Sequence, residues 1–440
     1  MRILILLVLF FFIFVGKVIA IENPTLVPNN IYGIHIVDEN DIDMASDLVN
    51  SAGGDWGYVT MVIREDERST TRWQKIFDKL RRKHLIPIIR IATKQESEGW
   101  VKPDQNSIDS WIAFFESLNW VIKNRYIVVG NEPNQAHEWS GEIKPEEYGQ
   151  YLKAFSSRLK NTSSDYFVLP AGLDSAAPES KSTMSEKKFL ETMLKSVPDA
   201  FDKIDGWTSH AYPNYKLSIE EQRGQASLRN YLWEKDLLSS LGFTRNLPVF
   251  ITETGWKHDG NGNLKDINSF YKNAFESIWV DNNIIAITPF LLNYKASPYL
   301  SFSWIDADNK PFDFYYTVQN LSKIKGEPMQ KTDGEIIGSL NFPIVQAGHG
   351  VYGALIAKNL GQSIWEKDKF YLLGANLLTN VTTEPFQTRF MFFKLQAPND
   401  PGTYKRSLQL VRNGARFGNL INFYFQAVDF LPNLNLFGIF

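Results

Sequence analysis

Two glutamates in this chain are placed where a carboxyl group would have to work. Glu132 stands in Tyr126-Ile-Val-Val-Gly-Asn-Glu-Pro-Asn134, and Glu253 stands in Val249-Phe-Ile-Thr-Glu-Thr-Gly-Trp256. Each follows an apolar run with the character of a buried strand. A carboxylate at such a strand end must be hydrogen-bonded or shift its pKa, because burial disfavours its charge. Two of them suit the cleavage of an acetal. One carboxyl donates a proton to the leaving oxygen; the other attacks the anomeric carbon, or activates water if it stands farther away. Three βα units separate the two, which allows them to face one another across a barrel mouth. Spacing leaves both the retaining gap of about 5 Å and the wider inverting gap open.

The elements needed to position them follow in regular alternation. Strands are expected at 31–37, 56–63, 85–91, 126–130, 166–169, 204–213, 249–252 and 284–290. Helices are expected between them, at 42–49, 71–83, 107–122, from 144 onward, 186–194, 226–241 and 266–280. Proline early in the 144 helix, with Glu146 and Glu147 in its first turn, marks that start. Eight such units over roughly 300 residues predict a (β/α)8 TIM barrel of the α/β class. A doubly wound open sheet fits less well, since polar residues recur at the ends of most strands, and an open sheet gathers them at one switch point.

Other polar and aromatic residues fall at the same strand ends. His210, in Ser209-His-Ala-Tyr-Pro213, reads either as a site residue or as a packed core histidine. Arg90, ending the third strand, would lower the pKa of Glu253 or pair with another barrel acid. His35 on the first strand has the same two readings. Trp304 is a candidate sugar platform, Trp256 reads either as another or as part of an aromatic core, and His137 and Trp139 are candidates for lining the cleft. Asp174 and Asp306 are candidates for binding hydroxyls, whereas Glu138, Glu146 and Glu147 read as solvated acids.

Composition removes several other classes. The chain has no Cys and only six His, with no His-x-x-x-His spacing, so neither thiolate catalysis nor a metal site is expected, and no cofactor is implied. A net charge of −3 gives no basis for nucleic-acid binding. Twelve Trp and 14% aromatic residues supply either large cores or ring faces on which sugars stack.

Both ends of the chain read differently from the middle. Arg2, the apolar run Ile3 to Val15 and Val18-Ile-Ala20 form a signal-peptide pattern over 1–20, too short for a membrane span of about 20 apolar residues. A secreted protein is expected rather than one held by an N-terminal anchor. Residues 21–325 would be the catalytic domain and 326–336 a linker. Residues 337–440 would form an all-β sandwich, with strands at 370–373, 388–395, 407–411 and 421–428 and turns at 397–402 and 412–414.

Gly130-Asn-Glu-Pro133 on a fourth strand and Thr252-Glu-Thr-Gly-Trp256 on a seventh resemble the retaining glycoside hydrolases of clan A. The resemblance implies Glu132 as general acid/base, Glu253 as nucleophile, Asn131 as partner of the sugar 2-hydroxyl, and Tyr212 as the tyrosine that bonds the nucleophile. Val-Gly-Asn-Glu and Glu-Thr-Gly-Trp are similar to the β-1,3-glucanase family, Ser-His-Ala-Tyr-Pro to xylosidase- and arabinofuranosidase-like families, so the glycan stays open. Asn359-Leu-Gly-Gln-Ser-Ile-Trp365, Leu395 to Tyr404 and Gly414-Ala-Arg-Phe-Gly418 resemble the tryptophan-bearing Ig-like domain of autophagy receptors, which implies a spacer or a contact with a cell surface or glycan. The expected protein is a monomeric enzyme acting on an oligo- or polysaccharide. A non-catalytic glycan-binding protein and a transglycosylase using the same residues are the alternatives.

Overall fold

The computed structural model describes residues 21–97, 99–258, 262–341 and 343–429. The signal-peptide reading lies outside the described residues, as does the last part of 337–440. No helix among the described residues is long and apolar enough to cross a membrane.

The N-terminal region is mixed α/β. Apart from a two-residue antiparallel hairpin at Gln95–Glu96 and Gly99–Trp100, its strands are β1 (Gly33–His35), β2 (Gly57–Arg64), β3 (Leu85–Ala92), β4 (Arg125–Val129), β5 (Tyr166–Pro170), β6 (Trp207–His210), β7 (Val249–Glu253) and β8 (Ile284–Ile287). All pair in parallel, as a five-stranded sheet in the order β1-β2-β3-β4-β5 and a three-stranded sheet in the order β8-β7-β6. Single parallel bridges join the sheets at both seams, Tyr32 to Ile287 and Asp174 to His210. These strands are buried nearly throughout, as parallel strands covered on both faces must be.

Helices α1 (Ile42–Val49), α2 (Thr70–Arg82), α3 (Ile108–Glu116), α4 (Pro145–Thr162), α5 (Glu186–Ser196), α6 (Asn230–Ser240), α7 (Leu264–Asn273, continued by a π turn at Ala274–Ile278) and α8 (Asp313–Asn320) alternate with the strands. In α2, Trp73, Ile76, Phe77 and Leu80 form the buried stripe of an amphipathic helix, and Ser69 caps its first turn. Helix α3 stops at Glu116, well short of the expected 122. The carbonyls beyond it find acceptor roles elsewhere: Arg81 donates to those of Asn119 and Trp120, and Gln362 to that of Ile122. With those groups satisfied, the helical hydrogen bonds are not required.

Residues 334–428 contain strands and no helix among those described. They are β9 (Gly334–Asn341), β10 (Ile344–Gln346), β11 (Gly350–Asn359), β12 (Phe370–Leu373), β13 (Asn376–Leu377), β14 (Thr388–Gln396), β15 (Gly402–Arg412) and β16 (Ala415–Val428), in two four-stranded sheets ordered β9-β11-β14-β13 and β10-β16-β15-β12. Four of these are absent from the sequence reading, and β9 begins inside the expected linker. β9 and β11 carry glycine or alanine, which have low strand preference, and β10 and β13 are only three and two residues long, so pairing with neighbours decides their state. A separate apolar cluster fills the space between the sheets, with Trp365 fully buried against Phe370 and Phe417.

Candidate active site

β4 ends at Val129, and the chain then turns sharply. Gly130 has φ +94° and Glu132 φ +32°. A non-glycine residue in that region is strained and held by its surroundings. Here the Glu132 amide donates to the Gly172 carbonyl at 3.0 Å, and the Glu132 carbonyl accepts from the Gln135 amide at 2.8 Å. The turn aims the Glu132 carboxyl at β6. His210 Nδ1 meets Glu132 Oε1 at 2.8 Å and lies 3.9 Å from Glu253 Oε2. One side-chain atom each of Glu132, His210 and Glu253 lies within 4.8 Å of the others. A register shift at Ser209/His210 pairs His210 directly with Glu253, the kind of irregularity that re-aims a side chain.

The two carboxyls sit in opposite surroundings. Glu253 is acted on first by burial, which raises its pKa. His210 and Arg90 outweigh that, with help from the Tyr212 hydroxyl, and hold it below the usual carboxylate range. Arg90 Nη1 donates to Glu253 Oε1 at 2.8 Å and Tyr212 Oη to Glu253 Oε2 at 3.0 Å, so both oxygens are engaged. Glu132 is raised by burial, against the opposing pull of His210, with the Glu253 charge adding to the rise. His210 is lowered by burial, yet its carboxylate neighbours, Glu253 first, raise it overall. The two environments divide the labour: the pKa of Glu132 is pushed up and that of Glu253 is pulled down.

Asn131 is fixed at both ends of its amide. Its Oδ1 accepts from Arg90 at 2.5 Å and its Nδ2 donates to Glu138 at 3.0 Å. Glu138, read from sequence as a solvated acid, therefore belongs to the site, with His137 3.3 Å away as its second partner. Gln135 went unnoticed in the sequence. Its Nε2 bridges Glu132 Oε2 at 3.1 Å and Asp174 Oδ2 at 2.8 Å. Nothing in its letter or spacing signals this, because the bridge depends on a loop from another strand.

Other expected residues are placed differently. His35 is only 1% exposed and edge-on to Phe290 at 5.2 Å. Neither of its ring nitrogens has a hydrogen-bond partner, and burial with the nearby Arg90 charge keeps it neutral, its pKa lowered to about 3. Trp304 and Trp256 are not open ring faces, and the expectation of sugar platforms there is corrected. Trp304 is 1% exposed, packed on Tyr271 and Phe314; Trp256 is 5% exposed, packed on Phe270 and Tyr271. Large flat rings gain most from being enclosed on both faces, and that outweighed their position near strand ends. Trp139 is buried too, its Nε1 donating to Glu147 at 3.2 Å. Asp306 caps an exposed turn through the amides of Asp308 and Lys310. Partly exposed rings do occur beyond β8: Tyr299, 41% exposed, packs edge-on against Phe290, which in turn meets Phe302.

A cation is poorly suited to the Glu132–His210–Glu253 cluster, because the Arg90 guanidinium already sits on Glu253 and the Tyr212 hydroxyl takes its other oxygen.

No model of a known protein family matches the chain, and no curated protein matches it. Among solved structures it is similar to a GH128 (subgroup II) endo-β-1,3-glucanase from Sorangium cellulosum, at 14% identity and TM-score 0.43, over 67% of this chain and 97% of that one. A family 51 α-L-arabinofuranosidase from Bifidobacterium longum aligns at 12% identity and TM-score 0.43, over 85% of this chain and 96% of that one. A GH5_18 protein from Bifidobacterium longum subsp. infantis aligns at 11% identity and TM-score 0.47, over 70% and 82% respectively. Likenesses of this size leave the function of the present chain to the geometry of its own site.

Proposed function

We propose that the chain is a retaining glycosidase that cleaves β-linked glycans by double displacement, on a closed (β/α)8 barrel. The observation that carries the reading is the carboxyl pair itself. Glu132 and Glu253 come from distant strands, share His210 within 4.8 Å, and have pKa values moved in opposite directions. A short separation suits direct attack on the anomeric carbon and leaves no room for an intervening water. The bridges at both sheet seams support closure of the eight strands into one cylinder.

In this reading Glu253 attacks the anomeric carbon while Glu132 protonates the leaving glycosidic oxygen, giving a covalent glycosyl–enzyme. Glu132, now ionised, takes a proton from water, and that water displaces Glu253. Arg90 and Tyr212 keep the nucleophile charged and oriented. Asn131, pinned by Arg90 and Glu138, presents its amide to the sugar 2-hydroxyl. Residues 1–20 direct export, 21–325 form the catalytic domain, and 337–440 form an Ig-like accessory domain.

The test replaces Glu253 with Ala and assays aryl glycosides with and without azide. A lost activity that azide restores, with a glycosyl azide of inverted anomeric configuration, supports the reading. No turnover by the unsubstituted chain, no effect of azide on Glu253→Ala, and glycan binding unchanged by the substitution would instead identify a binding protein.

A further inference from the structure

A second pair of carboxyls lies behind the site. Glu186 opens α5 and Glu234 lies in α6; both are fully buried. The two carboxyls are close neighbours that act on each other's charge. Trp207 Nε1 donates to Glu234 Oε2 at 3.0 Å. Trp207 and Ser209 belong to β6, whose next residue is His210.

With both glutamates ionised, both oxygens of Glu186 and Oε1 of Glu234 would be buried without a donor. Two adjacent charges sealed from water are prohibitively costly. One proton between the carboxyls supplies the missing donor and removes one charge. Trp207 donates to Glu234, whereas among the described residues no donor reaches either oxygen of Glu186. Glu186 has Asn230 and the repelling charges of Glu234 and Asp174 around it. The proton therefore belongs on Glu186 and the charge on Glu234.

We propose that Glu234 is a positioning residue for His210, anchoring β6 from the helix side and stabilising the imidazolium that Glu132 bonds, while Glu186 serves as its neutral hydrogen-bond donor. The charged and titratable groups facing His210 are then Glu132, Glu253, Arg90 and His35 in the cleft and Glu234 behind the strand. Those facing the buried pair are Asp174 and His210, with Asn230 as a neutral neighbour. The catalytic consequence rests on the glycosidase reading; the electrostatic one does not.

The experiment is an NMR titration of His210 in the full chain, its signal assigned by loss in His210→Asn. Glu234→Gln is expected to lower the His210 pKa by about 0.5–1 unit, the effect of one charge acting through protein at an effective dielectric of about 20. Glu186→Gln, which keeps a neutral donor, is expected to leave it unmoved. The reverse pattern, or no shift in a folded Glu234→Gln protein, overturns the proposal. If Glu234→Gln does not fold, infrared spectra in a Glu132→Gln background decide. A buried protonated-carboxyl band at neutral pH that vanishes in Glu186→Gln supports the proposal, and its absence overturns it. Neither readout needs turnover, so failure here and failure of azide rescue in Glu253→Ala are separable.

Discussion

At the scale of single residues, the division between Glu132 and Glu253 makes the strongest statements. The pH profile of kcat/KM is expected to be bell-shaped. Its acid limb, from Glu253, should lie below the ordinary carboxylate range, and its alkaline limb, from Glu132, above it. Arg90→Met removes a charge 2.8 Å from Glu253, so the acid limb should move upward. Glu253 has a depressed pKa in the folded state, so it contributes stability that is full above the unfolded carboxylate pKa and lost as pH falls through the folded one. The stability loss of Arg90→Met, about 3–5 kcal/mol for a broken buried pair, should therefore narrow in acid when followed by thermal unfolding. Glu132 has the opposite sign. Its raised pKa gives stability that is full below the unfolded value and lost as pH rises through the folded one, so its ionised form is a burden at neutral pH. Glu132→Gln should raise Tm there while lowering kcat by about 10²–10⁴-fold on substrates with poor leaving groups, and by much less on activated aryl glycosides.

At the scale of elements, His210 shows how the backbone holds the chemistry. Its ring lies directly over Gly172, after β5. A Cβ on Gly172 would stand 2.3 Å from His210 Cδ2 and 2.5 Å from Nε2, with the Gly172 carbonyl also holding the Glu132 amide. Gly172→Ala must push the imidazole away, at a cost of about 1–3 kcal/mol for overpacking. A displacement approaching 1 Å would lower kcat by about 10²-fold. Kinetics together with the His210 NMR signal would check this; an unchanged signal with unchanged kcat would show that the ring does not need its present seat.

At the scale of the whole molecule, two apolar clusters serve two regions. The contacts between them include Gln362 Nε2 to the Ile122 carbonyl at 2.8 Å, Asn119 Nδ2 to the Gly361 carbonyl at 3.0 Å, and the Arg82–Glu384 ion pair at 2.9 Å. These contacts are polar, whereas each cluster is closed on itself. Trp365→Ala, which empties the centre of the second cluster, should destabilise residues 334–429 by about 3–5 kcal/mol. Calorimetry should then show an earlier transition, with kcat on a small substrate retained below it. A single transition shifted as a whole would mean that the two regions unfold together.

The order of elements and the two principal carboxyls were legible in the chain itself, because strand burial and turn chemistry are local. The apolar run Tyr126-Ile-Val-Val129, ending in Gly130-Asn-Glu-Pro133, needs no distant partner to be recognised as a strand meeting a turn. Whatever depended on groups brought together from far apart was not legible. Gln135 bridges to Asp174 on a loop that it meets only on folding, Glu138 joined the site when its loop turned back onto Asn131, and Trp304 and Trp256 were drawn into the core. Helix α3 ended early because Arg81 and Gln362 satisfied its outgoing carbonyls. β9 and β11 were hidden because glycine and alanine take their conformation from a paired neighbour, and β10 and β13 because they are too short to show a pattern. Letters determine what a side chain is able to do; proximity and desolvation, which exist only in the folded chain, decide which side chains are made to do it.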